Sequence, residues 1–218
     1  MLRNKATKLA LLATVLLAGC ATQPPKDYTA FRAADPKTIL VLPPKNSSPE
    51  VGATYGAYST IQQPIAEAGY YVLPITLVDE HFKTNGLTVS DEMHLVETGK
   101  LREVFGADAA LYVDIKDYGT KYFVIGSATV VRAQGRLVDL RTGQELWSGE
   151  AQASSEEGKS NNNSGGLVGL LITALVNQVL ATTFDQGYSV ARIANNRLLA
   201  AGTPNGLIYG PRHPQYRK

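Results

Sequence analysis

The sequence predicts an α/β fold: a single domain with a mixed sheet that is flanked by helices and followed by a long C-terminal helix. Three observations lead to this prediction. A buried strand, a helix and a second strand follow one another near the start, the middle of the chain alternates between apolar and polar residues, and an apolar helical pattern closes the domain. Strand–helix–strand order favours a parallel pair, and consecutive alternating segments favour an antiparallel meander.

The parallel start is predicted over the first third of the chain. Residues 38–43 form an apolar run of branched residues that is typical of a buried strand. A helical pattern follows from about 53 to 68, and Gly69 is suited to end that helix. Residues 70–73 then predict the second strand.

Two further helices are predicted between this unit and the meander. The first covers about 78–84, and the second runs from 89 to about 105 and ends at Gly106. Ser90 and Asp91 suit the positive end of the second helix.

An antiparallel meander is predicted over about 108–155. It consists of an alternating strand at 111–116, a longer strand at 121–134, and a strand–turn–strand segment at 136–149 whose turn is Thr142-Gly143. These segments complete the mixed sheet.

The end of the chain predicts one loop, one helix and an irregular tail. Residues 154–166 are polar and of low complexity, which is typical of a flexible loop. An apolar helix follows at 167–181, and its pattern continues to about 201. The proline-containing segment 202–218 predicts no regular element.

The first residues predict a secretory signal that ends in a lipidation site. Arg3, Lys5 and Lys8 precede an apolar run that is too short to span a bilayer. The sequence Leu17-Ala18-Gly19-Cys20 resembles the lipobox of bacterial lipoproteins, in which the chain is cleaved between Gly19 and Cys20 and the Cys20 thiol is acylated. Cys20 is the single cysteine of the chain, and lipidation explains why an exported protein carries an unpaired thiol.

The chain therefore divides into four predicted parts: a signal peptide at 1–19, a lipidated N-terminus and tether at 20–37, an α/β domain at 38–201, and an irregular tail at 202–218. A tether of this length could reach about 50 Å if fully extended. Ala21 is not aspartate, and in the sorting rule that this segment resembles, aspartate favours retention at the inner membrane. We therefore expect an outer-membrane protein that faces the periplasm.

Composition excludes one broad class of function. Three of the 21 basic residues lie within 1–19, so the mature chain carries 18 Lys and Arg against 19 Asp and Glu. A nearly neutral domain gives no reason to expect nucleic-acid binding.

Motifs for catalysis and cofactor binding are absent from the sequence. It contains no glycine-rich nucleotide loop, no HExxH zinc motif and no GxSxG nucleophile elbow. Two groups of acidic residues with histidine, 79–81 and 91–94, could in principle share a metal, but such groups at a helix start are more often solvated caps. We predict no metal, no cofactor and no enzymatic activity.

The helix after residue 165 carries a pattern that is compatible with self-association. Gly165 and Gly169 have small-xxx-small spacing, and Thr173 and Asn177 could form hydrogen bonds across a helix pair. The same segment could be a core helix packed on the sheet, or a segment that inserts into a bilayer. Packing within the core is the simplest of the three, and a homo-oligomer is the functional alternative.

Aromatic residues allow two interpretations. Trp147 and the tyrosines could form an adhesive surface, but strand and core packing is the more common role. The tyrosines concerned are Tyr55, Tyr58, Tyr70, Tyr71, Tyr112, Tyr118 and Tyr122.

Several segments together resemble one conserved bacterial lipoprotein family. They are the lipobox, the strand Ile39-Leu-Val-Leu-Pro43-Pro44, the strand entry Gly106-Ala-Asp-Ala-Ala-Leu-Tyr-Val113, the hairpin Val138-Asp-Leu-Arg-Thr-Gly-Gln-Glu-Leu-Trp147, and the Asn-rich loop before a Gly-rich helix. The family is domain of unknown function 799, which includes a neisserial surface-antigen candidate. The hairpin motif also occurs in TolB N-terminal-like and CsgG-like periplasmic domains.

The resemblance implies a TolB N-terminal-like α/β domain and a functional association with a CsgG-like secretion-pore lipoprotein. It supplies no catalytic residue, and Cys20 is the one position that it marks as functional. The resulting hypothesis is a non-enzymatic outer-membrane lipoprotein that serves as an accessory or assembly subunit of a CsgG-like envelope secretion complex.

Two alternatives remain open from sequence. A small-molecule or glycan-binding domain of the envelope would need a concave pocket with convergent polar groups. An envelope hydrolase would need a nucleophile beside His81 or His94.

Overall fold

The computed structural model describes residues 26–123, 126–157 and 186–218. Within them a mixed six-stranded sheet lies between two groups of helices, which confirms the predicted α/β class with its parallel start and antiparallel centre. The strands are β1 (Thr38–Val41), β2 (Lys45–Asn46), β3 (Tyr71–Val72), β4 (Ala109–Phe123), β5 (Gly126–Asp139) and β6 (Glu145–Ser154). The helices are α1 (Thr29–Ala34), α2 (Ala53–Glu67), α3 (Ile75–Thr84), α4 (Ser90–Met93), α5 (Thr98–Phe105) and α6 (Gln186–Leu199).

The sheet has the order β3-β1-β4-β5-β6, and the short β2 pairs with β4 beyond the end of β1. β1 is parallel to both β3 and β4, and β2 is parallel to β4. β4, β5 and β6 form the antiparallel meander. The helix α2 joins the parallel strands β1 and β3, as the strand–helix–strand pattern predicts.

Each face of the sheet carries its own part of the core. On one face, α2 and α6 pack against β1, β4, β5 and β6 around Ile61, Leu111, Leu137 and Trp147. On the other face, α3, α4 and α5 cover β1, the beginning of β4 and the end of β5 with a cluster that includes Phe82, Met93 and Leu101. No other helix within the described ranges packs on the remainder of this second face.

The structure corrects the predicted tether, because residues 29–34 form the helix α1 and Phe31 is buried at 1% exposure. The Phe31 ring packs against Tyr70, with ring centroids 6.4 Å apart. A helix of six residues is too short to show a period in the sequence, and a single aromatic anchor holds it on the domain. The folded body therefore begins about ten residues before the predicted boundary at 38.

Three predicted element boundaries were also wrong. The helix expected over 89–105 is two helices, α4 and α5, separated by a break at 94–97, and both Met93 and Leu101 are buried against the sheet. The strand expected at 111–116 is part of the longer strand β4, which continues to Phe123. The strand expected at 121–134 begins only at Gly126, as β5, and pairs with β4. Ladder pairing with β5 keeps the polar end of β4 extended, although that end shows no apolar alternation.

The tail from residue 202 contains no helix or long strand, but it is packed onto the domain. Leu207 is buried, the Tyr70 hydroxyl donates a hydrogen bond to the Ile208 carbonyl at 2.7 Å, and Gly210 N donates to the Ala68 carbonyl at 2.8 Å. Trp147 Nε1 donates to the Asn205 carbonyl at 3.0 Å. The tail thus covers the end of the sheet at which β1 and β4 begin.

Candidate functional site

The part of the second sheet face on which no described helix packs is polar and cross-linked between strands. On it, Arg132 and Gln134 of β5 both donate hydrogen bonds to the Glu150 carboxylate of β6, and the second of these bonds is 2.8 Å long. Lys116 pairs with Asp114 on β4. These side chains point away from the core because residues two apart on a strand share a face.

A cleft of about 640 Å³ lies where this polar face meets β2 and the end of α4. We call it the sheet-face cleft. Its lining includes Lys45, His94, Tyr112, Arg136, Glu145 and Glu150. Four strands and one helix end therefore contribute charged or aromatic side chains to the same concave surface.

Tyr112 and Arg136 form the floor of the sheet-face cleft. They are direct partners across β4 and β5, and the Arg136 guanidinium carbon lies 4.1 Å from the centre of the Tyr112 ring. Cation–π stacking of this kind holds the guanidinium flat while its N–H donors stay accessible. Among the described residues Arg136 has no carboxylate partner, so its charge is available to a bound group.

His94 supports this floor from below. Its Nε2 donates a hydrogen bond to the Pro43 carbonyl at 2.9 Å, and its ring meets the Tyr112 ring edge-on at 5.2 Å. Burial lowers the pKa of His94 to about 4, with Lys45 and Arg136 adding to the effect. His94 is therefore neutral at neutral pH and acts as a fixed structural support.

The walls of the cleft carry charges of both signs. Lys45 of β2 pairs with Asp91 of α4 at 3.2 Å, and Ser47 donates to Asp114 at 2.9 Å. At the far side, Lys26 lies over the Trp147 ring at 5.2 Å, and burial lowers the pKa of this amine. The arrangement can present both cationic and anionic groups to a polar partner.

The histidines occupy structural positions. His94 is bonded to a backbone carbonyl, His81 packs its ring against Phe105 at 5.1 Å, and His213 Nδ1 accepts a hydrogen bond from Gln215 N. None of these contacts places a hydroxyl nucleophile beside an imidazole, which is the arrangement that a hydrolase of the predicted kind needs.

The acidic residues near His81 and His94 are engaged separately. Asp79 pairs with Lys83 at 2.7 Å and Asp91 pairs with Lys45. Within the part of the chain that the structure describes, no three His, Cys, Asp or Glu side chains are grouped so that they could hold a metal.

The residues predicted to be lipidated or to self-associate lie outside the described residues. They are Gly19 and Cys20 at the cleavage site, and Gly165, Gly169, Thr173 and Asn177 in the apolar segment.

The aromatic residues divide between packing and surface. Trp147, Tyr58, Tyr70, Tyr112 and Tyr118 are buried, which confirms packing for these five. Tyr55, Tyr71 and Tyr122 are exposed.

Sequence reasoning missed the sheet-face cleft. The alternation at 111–116 showed that Tyr112 and Asp114 share a face, but Arg136 joins them only through the register of β4 with β5. Lys45 and His94 reach the same surface through β2 and the break after α4, and neither feature has a sequence period.

The fold and the cleft define a single-domain α/β protein with a mixed sheet, one face of which the described helices cover only in part. The chain belongs to a lipoprotein family: residues 26–212 match the family described as "Putative lipoprotein GNA1162-like". It is 46% identical over 206 residues to "Putative lipoprotein NMB1124/NMB1162" of Neisseria meningitidis serogroup B, covering 94% of each chain.

One solved structure of a family member agrees with this assignment. The crystal structure of lipoprotein GNA1162 from Neisseria meningitidis matches with a TM-score of 0.54 and 46% identity, over 67% of this chain and all of that one. A PelC dodecamer from Paraburkholderia phytofirmans matches with a TM-score of 0.40 and 17% identity, over 66% of this chain and 85% of that one. At that level of similarity PelC carries no argument about function.

None of the helices that the structure describes is both long enough and apolar enough to cross a bilayer.

Proposed function

We propose that this protein is an outer-membrane lipoprotein, anchored through Cys20 with its body in the periplasm, and that it acts by binding and not by catalysis. In this proposal it is an accessory or assembly subunit of an envelope secretion complex, and the sheet-face cleft is its partner-binding surface. The observation that carries the proposal is the stacked Tyr112–Arg136 pair in a concave polar surface of a lipoprotein-family domain, where no carboxylate of the described ranges pairs with Arg136.

Two further points support a binding role. The histidines contact carbonyl groups, amide groups or rings, so the described residues offer no activated nucleophile. The Tyr112–Arg136 floor is also rigid, because both residues lie on paired strands, and rigid aromatic and arginine side chains are the commonest binding hot spots.

The class of partner follows from the sequence resemblance. Because members of the resembling family occur with a CsgG-like pore lipoprotein, that class of protein is the first partner to test. An acidic loop on the partner would complement Arg136.

Anchoring is tested by changing Cys20 to Ser. We expect intact mass analysis of the native protein to show an acylated N-terminal cysteine, and the variant to lose palmitate labelling because serine has no thiol. A native protein with an unmodified cysteine would contradict the proposed anchor.

The partner surface is tested by changing Arg136 to Glu. Because the cation–π contact with Tyr112 is lost, we expect the free energy of unfolding to fall by about 1 kcal/mol, which leaves the domain folded. Reversal of a central interface charge should reduce co-purification with the partner from detergent-solubilised, cross-linked envelopes by at least tenfold.

The matched control for this experiment is Lys100→Glu. Lys100 is 58% exposed, lies on α5 and does not line the cleft. Equal recovery of the partner with wild type and with the Arg136 variant would rule out the sheet-face cleft as the binding surface.

A second function is favoured by one observation. The sheet-face cleft brings the charged groups of Arg136, Glu145 and Glu150 together in one concave surface, and convergent polar groups of this kind can orient a sugar. Titration with peptidoglycan-derived oligosaccharides, followed by backbone amide NMR shifts, would test it. Shifts confined to β4–β6 around Tyr112 would support glycan binding, and unchanged spectra at millimolar ligand would exclude it.

A further inference from the structure

A second cleft lies at the end of the sheet where β1 and β4 begin. Its volume is about 990 Å³, and it is enclosed by the first described residues, α1 and the tail. We call it the tail cleft. Its basic and aromatic lining includes Lys26, Tyr28, Arg32, Tyr209, Arg217 and Lys218.

The tail cleft is held at the point where the chain enters the domain. Lys26 N donates a hydrogen bond to Asn205 Oδ1 at 3.0 Å, and the Tyr28 hydroxyl donates to the Gly206 carbonyl at 2.6 Å. Both contacts fix the start of the domain against the tail. The residues between Cys20 and Lys26 therefore join the domain at this cleft.

The distance from this point to Cys20 is limited by covalent geometry. Six residue steps separate Cys20 from Lys26, and a fully extended chain covers at most about 3.5 Å per step, or roughly 20 Å in all. This is less than half of the reach that a tether to residue 37 would have. A body tied at Lys26 thus stays close to whatever surface holds Cys20.

The charge of the tail cleft matches an anionic surface. Four basic side chains line it, and Asp35 is the acidic side chain in the lining. Asp35 already pairs with Arg217 at 2.7 Å and accepts a hydrogen bond from Tyr216. Arg32 and Lys218 form no ion pair with any residue that the structure describes, so their charges are open to an external anion.

The uncharged side chains of the tail cleft are also suited to a lipid interface. Tyr28, Ile208 and Tyr209 are half-buried in its lining. Tyrosine rings sit well at the level of headgroups, where one end of the side chain is apolar and the other is hydrated.

We infer that the tail cleft is a membrane-docking surface: its basic rim binds the anionic phospholipid headgroups of the leaflet that holds the lipidated Cys20. The inference rests on the proposed anchor, and it adds the orientation of the body on the membrane. A basic patch beside an acyl anchor is a second attachment signal, and each basic residue near an anionic leaflet strengthens attachment about fivefold.

The orientation has a consequence that can be measured. β4 rises about 3.3 Å per residue, so Tyr122 near its end lies roughly 40 Å from Ala109, which is at the membrane-facing end. In the docked state the tail is next to the bilayer, and the β4–β5 hairpin is remote from it.

The test uses the full lipidated protein, reconstituted into vesicles of phosphatidylcholine alone or of equal parts phosphatidylcholine and phosphatidylglycerol. A donor dye is placed on Gln215→Cys, which lies in the tail cleft, or on Tyr122→Cys as the matched distant site. Lipidation consumes the Cys20 thiol, so each added cysteine is the labelling site. Energy transfer to an acceptor on the lipid headgroups is then measured.

We expect strong transfer from position 215 and weak transfer from position 122 in the anionic vesicles. Transfer from position 215 should fall in phosphatidylcholine alone and at high salt, because headgroup attraction is electrostatic and screened. The combined change Arg32→Glu and Lys218→Glu removes two basic contacts and should lower the equilibrium constant for docking by at least about twentyfold. Lys100→Glu with Lys121→Glu is the matched control and should have no effect.

Three results would overturn the inference. Energy transfer that is equal from positions 215 and 122, or that does not depend on lipid charge, would exclude docking. It would leave the proposed lipid anchor unaffected. Energy transfer from position 215 that varies with the density of protein on the vesicles but not with lipid charge would indicate that the tail cleft binds a second copy of the chain. Protein that does not float with the vesicles, and whose mass lacks acyl chains, refutes the anchor and the docking together.

Discussion

At the scale of single residues, Tyr112, Arg136 and His94 show how a surface is built from contacts that cross the chain. Each is ordinary in its own segment. Strand register places Arg136 over the Tyr112 ring, and the break after α4 places His94 under it. The carbonyl of Pro43 fixes the His94 ring by accepting from Nε2, so the floor of the sheet-face cleft has a defined geometry at neutral pH.

The first residue-scale prediction concerns pH. The pKa of His94 is lowered to about 4 in the folded protein, while an unfolded histidine titrates near 6.5. Between these values the unfolded state binds more protons, so the stabilisation from neutral His94 is complete above pH 6.5 and is lost as the pH falls towards 4. The loss should reach up to about 3 kcal/mol.

Urea unfolding at pH 7, 5.5 and 4.5 measures this loss. In His94→Gln the amide can still donate to Pro43 but cannot titrate, so the decline between pH 6.5 and 4 should be smaller than in wild type. Identical pH profiles for the two proteins would show that His94 is not the group responsible.

At the scale of elements, α1 shows that a short helix can belong to the core. One apolar side chain, Phe31, is inserted between the sheet end and Tyr70, and Asp35 in a left-handed conformation ends the helix. The helix therefore moves the start of the folded body to the first described residues and shortens the link to the proposed anchor.

We predict that Phe31→Ala destabilises the domain by about 3–5 kcal/mol, because it removes a fully buried ring and leaves a cavity. Chemical denaturation measures the change, and limited proteolysis should show earlier cleavage near residue 32. Leu95→Ala is the matched control, since Leu95 is 79% exposed and its truncation should cost less than about 0.5 kcal/mol. A similar small cost for both variants would mean that α1 is not part of the core.

At the scale of the whole molecule, the two ends of the described chain meet. Asp35 at the end of α1 binds Tyr216 and Arg217 of the tail, and the tail in turn covers Trp147 and Tyr70 of the core. This closure produces the tail cleft and sets the face from which the chain leaves towards Cys20.

Removal of that link should loosen the tail while the sheet stays folded. In Asp35→Ala we expect trypsin to cleave at Arg212 and Arg217 at least tenfold faster, because both side-chain contacts that hold the end of the tail are lost. The thermal midpoint should fall by only a few degrees, since the Arg217 contact is exposed and the Tyr216 contact is only partly buried. Unchanged cleavage would show that backbone contacts at Gly210 and Arg212 suffice to hold the tail.

The predictions from sequence agree best with the structure where buried residues recur at regular intervals along the chain. The parallel strands around Ile39 and Val72, the helix α2 with its end at Gly69, and the turn at Thr142-Gly143 all follow from local patterns. The errors lie where pairing or packing with distant segments decides the outcome, as in α1, in the break between α4 and α5, and in the long polar end of β4.

The sequence by itself determined the α/β class, the order of the main elements and the resemblance to a lipoprotein family, because these depend on local periodicity and on short motifs. The tertiary structure alone decided where the folded body begins, which charged side chains share the sheet-face cleft, and that the tail lies beside the chain entry. Those features arise from contacts between residues up to about 180 positions apart, such as Lys26 with Asn205 and Asp35 with Arg217, and no local pattern encodes such pairs.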